Sequence, residues 1–421
     1  MTARSESPVW HPFTQHALQP SAVEIAAAEG AWLETADGRC ILDAISSWWV
    51  VTHGHCHPHI VAAIKAEAEQ LDQVIFAGFT HAPAERLARG LIDMAPPGLA
   101  HVFYSDSGST SVEVALKMAL GYWRNIGQPR HRILALEHGY HGDTIGGMSV
   151  GARGLFSAPY APLLFEVTRI PFPAPAREEE TLAALEAACR ESPVAALIVE
   201  PLILGAGGML IYSADALARM KRICERHGVL CIADEVMTGW GRTGTLFACE
   251  QAGIAPDILC LAKGITGGAL PLAATLTTPA IFDAHLSADR SKTFFHSSSY
   301  TANPLACAAA VANLEIWEHE PVRDRIAVLA ERQERHLAQF ADDRRFRNVR
   351  RLGTIAALDL DVGDAGYLAG VGPKLYDFFL QRGVLLRPLG NTIYVMPPYC
   401  IADAELDLIY DAIRAAADAL V

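Results

Sequence analysis

Two stretches decide the fold: Gly228-Val229-Leu230-Cys231-Ile232-Ala233, which stops at Asp234, and Ile258-Leu259-Cys260-Leu261-Ala262, which stops at Lys263. Each is a short apolar run rich in β-formers, and each ends on a charged side chain. Runs without polar alternation are buried on both faces, as strands of a parallel sheet covered by helices are. Two more have the same form, His131-Arg132-Ile133-Leu134-Ala135-Leu136 before Glu137 and Val194-Ala195-Ala196-Leu197-Ile198-Val199 before Glu200. Helical patterns alternate with them, so the predicted class is α/β, with a mostly parallel central sheet in a large domain. Ligands of open α/β sheets bind beyond the carboxyl ends of the strands. Glu137, Glu200, Asp234 and Lys263 are therefore candidates for one site.

Outward from these runs, 421 residues are too many for one simple core, and a second domain is expected. After about residue 310 the pattern changes. Helical segments (Ala327–Phe340, Lys374–Gln381, Ala404–Ala419) surround strand-like pieces near Ile355–Leu360 and Thr392–Met396. The predicted division is a large domain over 51–310 and a small α+β domain over 311–421, which the N-terminal segment 1–50 joins in space.

The formal net charge of −13 opposes binding of nucleic acid or anionic membranes. No apolar run reaches the ~18 residues of a membrane span, and the first residues, Met1 to Phe13, lack the apolar core of a signal peptide. Nine cysteines lie singly with no CxxC pair, several inside apolar runs, which fits reduced thiols in the cytoplasm. With 51% hydrophobic and 19% charged residues, the chain has apolar surface to spare, and a homo-oligomer is expected.

Lys263 precedes Gly264-Ile265-Thr266-Gly267-Gly268. Burial at a strand end lowers an amine's pKa and makes it a nucleophile, and the glycines would let backbone pass close to a bulky ligand. A lysine whose stem snorkels from a strand end is the other reading of the same segment. Asp234 ends its own strand one strand–helix–strand step, ~30 residues, earlier. A buried carboxylate needs a cation, either a ligand's protonated ring nitrogen or nearby Arg242. Ser105-Asp106-Ser107-Gly108-Ser109-Thr110 leads into a helix predicted over Ser111–Trp123, with Thr110 and Glu113 as its capping box. Such a helix start holds a phosphate, or is simply an N-cap. Tyr140, just beyond the 131–136 strand, is placed to stack on a planar cofactor.

Lysine, aspartate, phosphate loop and aromatic in this order resemble the fold-type I pyridoxal-phosphate (PLP) transferases, and among them the class III aminotransferases. The carrying motif is Asp234-Glu235-Val236-Met237-Thr238-Gly239-Trp240-Gly241-Arg242-Thr243-Gly244 followed by Lys263-Gly264. Further motifs are similar to the members that convert 8-amino-7-oxononanoate to 7,8-diaminononanoate in biotin biosynthesis. These are Trp10-His11-Pro12-Phe13-Thr14, Ser46-Ser47-Trp48-Trp49, Asp106-Ser107-Gly108-Ser109, Gly139-Tyr140-His141-Gly142-Asp143-Thr144, Arg387-Pro388-Leu389-Gly390 and Met396-Pro397-Pro398. The resemblance spans about Trp10 to Pro398.

It implies pyridoxal 5'-phosphate as cofactor and Lys263 as the lysine that carries it. It implies Asp234 on the pyridine nitrogen, Gly108 and Ser109 on the phosphate, and Tyr140 facing cofactor and substrate. Trp48 and Trp49 would line the substrate pocket, and Arg387 would take the substrate carboxylate. It further implies a homodimer with active sites at the subunit interface, in which Ser298 and Ser299 reach the other subunit's phosphate and Ser297 touches substrate. Two positions depart from the family pattern. Phe13 stands where tyrosine is frequent, and Ser297-Ser298-Ser299 stand where Gly-Pro-Thr is usual. The lost phenol bears on the amino donor, S-adenosylmethionine in the first reading and lysine in the second. A class III aminotransferase for ω-amino acids or diamines is the rival activity.

Two other patterns occur in the sequence. Gly147-Met148-Ser149-Val150-Gly151 fits the G-x-S-x-G of serine hydrolases, but the residues after it make a poor helix start. His53, His55, His57 and His59 with Cys56 resemble a metal cluster, but Gly54 and Pro58 mark a turn there, and no metal is expected.

Overall fold

The computed structural model describes residues 7–19, 21–363 and 365–421. Its largest sheet has seven strands in the order His101–Ser105, Ala273–Thr277, Ile258–Leu261, Leu230–Asp234, Val194–Val199, Arg132–Leu136, Thr168–Ile170. Only Ala273–Thr277 runs antiparallel to its neighbours. The four apolar runs are its centre, and every residue of Val194–Val199, Leu230–Asp234 and Ile258–Leu261 is buried. Helices such as Gly108–Asn125 and Ala214–His227 cover the sheet's faces, which is why these strands carry no polar alternation. The α/β prediction therefore holds.

One predicted boundary is corrected. The helix expected to begin at Ser111 begins at Gly108, and the capping box is Ser107 with Thr110, not Thr110 with Glu113. Ser107 is the residue with extended backbone, so its hydroxyl meets the Thr110 N–H. Glu113 instead accepts the Gly146 N–H at 2.6 Å.

In the C-terminal region a three-stranded antiparallel sheet, Phe346–Leu352, Ile355–Leu360 and Thr392–Val395, packs with the helices Val322–Ala338, Val371–Gln381 and Asp403–Leu420. A second sheet joins the two ends of the chain. Ile25–Glu29, Trp32–Thr35 and Cys40–Asp43 form a meander, and Val384–Leu385 adds to its edge in parallel, Val384 opposite Leu42. The N-terminal segment thus meets the C-terminal region in space, although its residues 1–6 lie outside the described residues. Residue 310, the expected boundary, falls within the helix Pro304–His319, which packs on Pro58–Ala68 and Ala82–Met94.

Candidate active site

Beyond the strand ends lies a cavity of about 640 Å³, lined by Glu200, Asp234 and Lys263 together with Ser107, Gly108, Ser109, Tyr140 and His141. Three of the four proposed strand-end residues meet there. Glu137 does not; it is exposed and outside the cavity.

The cavity floor is a buried polar cluster. Asp234 Oδ2 lies 2.7 Å from Nδ1 of His141, and Oδ1 accepts the Val236 N–H at 3.1 Å. Burial alone would make His141 less basic. The hydrogen bond and charge of Asp234, with the charge of Glu200, reverse this and raise its pKa. Its Nε2 is buried and finds no partner among the described residues. Glu200 accepts N–H groups from Tyr140 at 2.9 Å and Gly205 at 3.0 Å, and burial pushes its carboxyl up to about 7. Arg242, the alternative partner of Asp234, points elsewhere. Its buried guanidinium donates to the carbonyls of Pro397, Val51 and Trp49.

Lys263 opens a short 3-10 turn with φ +48°, a left-handed conformation that a side-chain-bearing residue rarely adopts and that clusters at functional sites. Burial lowers its pKa, against the opposing charges of Asp234 and Glu200. Among the described residues its amine has no hydrogen-bond or ion-pair partner, and it lies 5.2 Å from the Trp49 ring centroid. Of the glycines after it, Gly268 lines the cavity, and Gly264 and Gly268 both pass close to neighbouring protein. A side chain at Gly264 would strike Trp240, and one at Gly268 (φ +94°) would strike the backbone of Val50.

At the cavity's other wall, the helix Gly108–Asn125 begins. The N–H groups of Gly108 and Ser109 are left without acceptors among the described residues, as the first turn of a helix requires. The Ser109 hydroxyl is already engaged, 2.7 Å from Thr144 Oγ1 and accepting the Thr144 N–H at 3.0 Å.

A second cavity, about 430 Å³, adjoins the first through Trp49, Val50, Tyr140, Asp143 and Lys263. Its walls are Phe13, Trp48, Phe156, Tyr367, Tyr394 and Leu389, with Arg387 the cation away from the cofactor-sized cavity. Phe13 stacks edge-on against Trp48 and Phe156, and Phe156 against Tyr367. Arg387 lies 5.0 Å from the Trp48 ring and donates to the Phe13 carbonyl at 3.2 Å. No carboxylate pairs with it among the described residues.

Ser297, Ser298 and Ser299 line neither cavity of their own chain. Ser298 donates its hydroxyl to Asp106, which does line the first. The two alternative motifs dissolve. Ser149 is buried inside the helix Ile145–Val150, donating to the Ile145 carbonyl and accepting from Phe165 N–H. The four histidines diverge to separate partners, His53 to Asn313, His55 to Asp43, His57 to Glu320 and His59 to Glu315, and no metal-holding group exists among the described residues.

Sequence reading missed His141 as the partner of Asp234, and Phe156, Tyr367 and Tyr394 as pocket walls. His141 lies beyond the same strand end as Tyr140, so the strand-end rule marks it as a cavity residue, though not as the partner of Asp234. Nothing in the pattern around Tyr367 or Tyr394 marks them.

A cavity offering a carboxylate, a buried amine and unsatisfied helix N–H groups fits a flat, cationic ring that carries an aldehyde and a phosphate. Comparison with known proteins agrees. Residues 13–417 match the family described as Aminotransferase class-III. The chain is 48% identical, over 96% of its length and 97% of the relative's, to the adenosylmethionine-8-amino-7-oxononanoate aminotransferase of Synechococcus elongatus. It is 40% identical to the protein of that name from Geobacter sulfurreducens, over 96% of this chain and 94% of the relative. Among solved structures, the adenosylmethionine-8-amino-7-oxononanoate aminotransferase of Methanocaldococcus jannaschii superposes with a TM-score of 0.93 at 35% identity, covering 98% of this chain and 97% of that one. An amine transaminase from an uncultivated Pseudomonas species, solved in its PLP-bound form, gives 0.92 at 35% identity over 100% of both chains. With this match over nearly its whole length, the chain belongs to the class III aminotransferases, enzymes that depend on pyridoxal phosphate.

Proposed function

We propose that this enzyme transfers an amino group to 8-amino-7-oxononanoate, giving 7,8-diaminononanoate, with S-adenosylmethionine as the first choice of donor. The observation that carries the reading is the second cavity: aromatic walls, Lys263 where it meets the first cavity, and Arg387 away from it. A long keto acid with a terminal carboxylate needs apolar walls and one distant cation. The relatives named for this substrate support the same choice.

When bound, pyridoxal phosphate supplies an aldehyde that takes the amino group and a ring that withdraws electrons from the reacting carbon. The chain's residues do the rest. Asp234, fixed by His141 and the Val236 N–H, holds a carboxylate where a pyridinium nitrogen needs one. Gly108 and Ser109 receive the phosphate through their N–H groups and the helix dipole. Lys263 carries the cofactor. Its lowered pKa favours the neutral amine, which would be placed to take a proton from the donor's carbon and to return one, as base and then acid. Tyr140 and Trp49 line both cavities, where they would flank the cofactor and the substrate.

Arg387 grips the carboxylate, and Phe13, Trp48 and Trp49 cover the chain. Ser298 and Ser299 of a second copy complete the phosphate site in a homodimer, where Ser297 touches substrate. Nine unpaired cysteines support a reducing compartment, the cytoplasm, and no helix among the described residues is long and apolar enough to cross a membrane.

The amine-transaminase likeness keeps a second reading in view, amination of ω-amino acids or diamines. A half-reaction assay separates them. S-Adenosylmethionine should convert the cofactor's absorbance to that of the amine form, and 8-amino-7-oxononanoate should restore it. Conversion by lysine alone would change the donor. Restoration by simple amino-acceptors, and not by 8-amino-7-oxononanoate, would replace the substrate.

A further inference from the structure

Ser46, Ser47, Trp48 and Trp49 all have positive φ, at 53°, 44°, 69° and 75°, and none is glycine. L-residues enter this region singly and at a cost, so four in succession form a left-handed turn that the local sequence disfavours. Glycines would relax it, but they could not present two indoles to a cavity. Something outside the turn must hold it.

Two buried charged groups do so, one on each side. Asp43 is fully buried at the end of the strand Cys40–Asp43. Its Oδ1 accepts the Ile45 N–H at 3.2 Å. Its Oδ2 accepts the Ser47 hydroxyl at 2.8 Å and lies 2.9 Å from His55 Nε2. Arg242 has no carboxylate partner among the described residues. Its guanidinium donates to the carbonyls of Trp49 at 3.3 Å, Val51 at 2.9 Å and Pro397 at 3.1 Å. Ser46 adds a bond from its hydroxyl to the Met396 carbonyl, 2.8 Å. Neither Asp43 nor Arg242 lines either cavity, yet the turn they grip carries Trp48 and Trp49, which do. Burying a carboxylate and a guanidinium away from any reacting atom is costly unless each bond they make is needed.

We propose that Asp43 is a positioning residue for substrate selection: its carboxylate, opposed by Arg242, holds the left-handed turn so that Trp48 is aimed at the keto acid. This rests on the reading of the aromatic cavity as the keto-acid pocket. Asp43 grips the turn at Ser47, next to Trp48, so its loss misplaces Trp48, which lines the second cavity and not the first. Trp49, which lines both, stays tied through its carbonyl to Arg242, and the cofactor's own contacts stay intact.

The test uses full-length protein loaded with cofactor. Asp43→Ala should raise KM for 8-amino-7-oxononanoate about tenfold or more, as loss of bonds to a charged group does. For a three-carbon keto acid, too short to lie along Trp48, kcat/KM should stay within about twofold, the usual scatter of uncoupled changes. The cofactor's absorbance should not move. Adding Ser47→Gly to Asp43→Ala, where the Ser47 bond is already gone, should recover about threefold or more, because glycine adopts the left-handed conformation freely. A role in general stability would give no such recovery.

An unchanged KM in Asp43→Ala, equal losses on long and short keto acids, or no recovery on adding Ser47→Gly would overturn the proposal. If Asp43→Ala does not fold, Asp43→Asn keeps the Ile45 bond and should show the same selective rise, smaller in size; its absence counts equally against the idea. Trp48→Ala tells the two readings apart. A raised KM there with none in the Asp43 variants overturns the clamp alone, whereas no rise in Trp48→Ala overturns the pocket assignment beneath it.

Discussion

The two cavities are built by opposite means. The floor of the first hangs from the ends of fully buried parallel strands, and its charged groups are fixed by short bonds, Asp234 to His141 and Glu200 to two N–H groups. The second is assembled from loops far apart in sequence. Phe13 and Arg387 touch across 374 positions, and Phe13 and Trp48 remain 45% and 39% exposed in the single chain. The two cavities divide the labour. Chemistry common to a family sits on the rigid sheet, while choice of substrate sits on segments that can vary without disturbing it.

If that division is right, damage to the floor should strike turnover, and damage to the walls should strike affinity. The largest effect is expected at Asp234. Asp234→Asn keeps the shape but removes the charge facing the ring nitrogen, and kcat should fall about 10²–10³-fold, the range for loss of one preorganised electrostatic group. Equal kcat would move the electron-sink role elsewhere. At the wall, Arg387→Ala should raise KM for the keto acid roughly ten- to hundredfold, matching the ~1.5–3 kcal/mol of a charged hydrogen bond, with kcat nearly kept. Arg387→Lys should fall between, because an ammonium lacks the two-pronged grip. A large kcat loss in either variant would blur the proposed boundary between the cavities.

Glu200 gives a pH test of the floor. Its folded pKa, about 7, lies above the ordinary 4.5 of an exposed glutamate. Between those values the folded protein holds a proton that the unfolded chain has released. Stability from this group is therefore complete below about pH 4.5 and is lost as pH rises to about 7. Glutamine cannot titrate. The melting temperature of cofactor-free Glu200→Gln, relative to the unaltered protein, should rise as pH goes from about 5 to 7. A constant difference would mean that Glu200 does not hold its proton in that window. The smallest effect is expected at the entrance. Phe13→Tyr adds one hydroxyl and should tighten S-adenosylmethionine by no more than about tenfold, read as its half-saturation in the half-reaction.

The same contrast explains what the sequence disclosed. Lys263 and Asp234 were legible because each interrupts an apolar run at a strand end, where the fold itself directs side chains into one crevice. The pairing of Asp234 with His141 was not, since it joins residues 93 positions apart and depends on the parallel register of neighbouring strands. Trp48, Trp49 and Arg387 were reached only through resemblance, and Tyr367 and Tyr394 not at all. Their meeting depends on how the N-terminal meander and the 384–385 strand pair, which no local periodicity encodes. The left-handed turn at 46–49 was equally hidden, for it lacks the glycine that normally announces such backbone.

All of this depends on one amine. Reduction of the cofactor-loaded protein with borohydride, followed by proteolysis and mass mapping, would fix the cofactor to whichever lysine bears it. A pyridoxyl group is expected on Lys263, and none in Lys263→Ala treated in the same way. The label on another lysine, or on no lysine in protein whose absorbance shows bound cofactor, would contradict the assignment of the site.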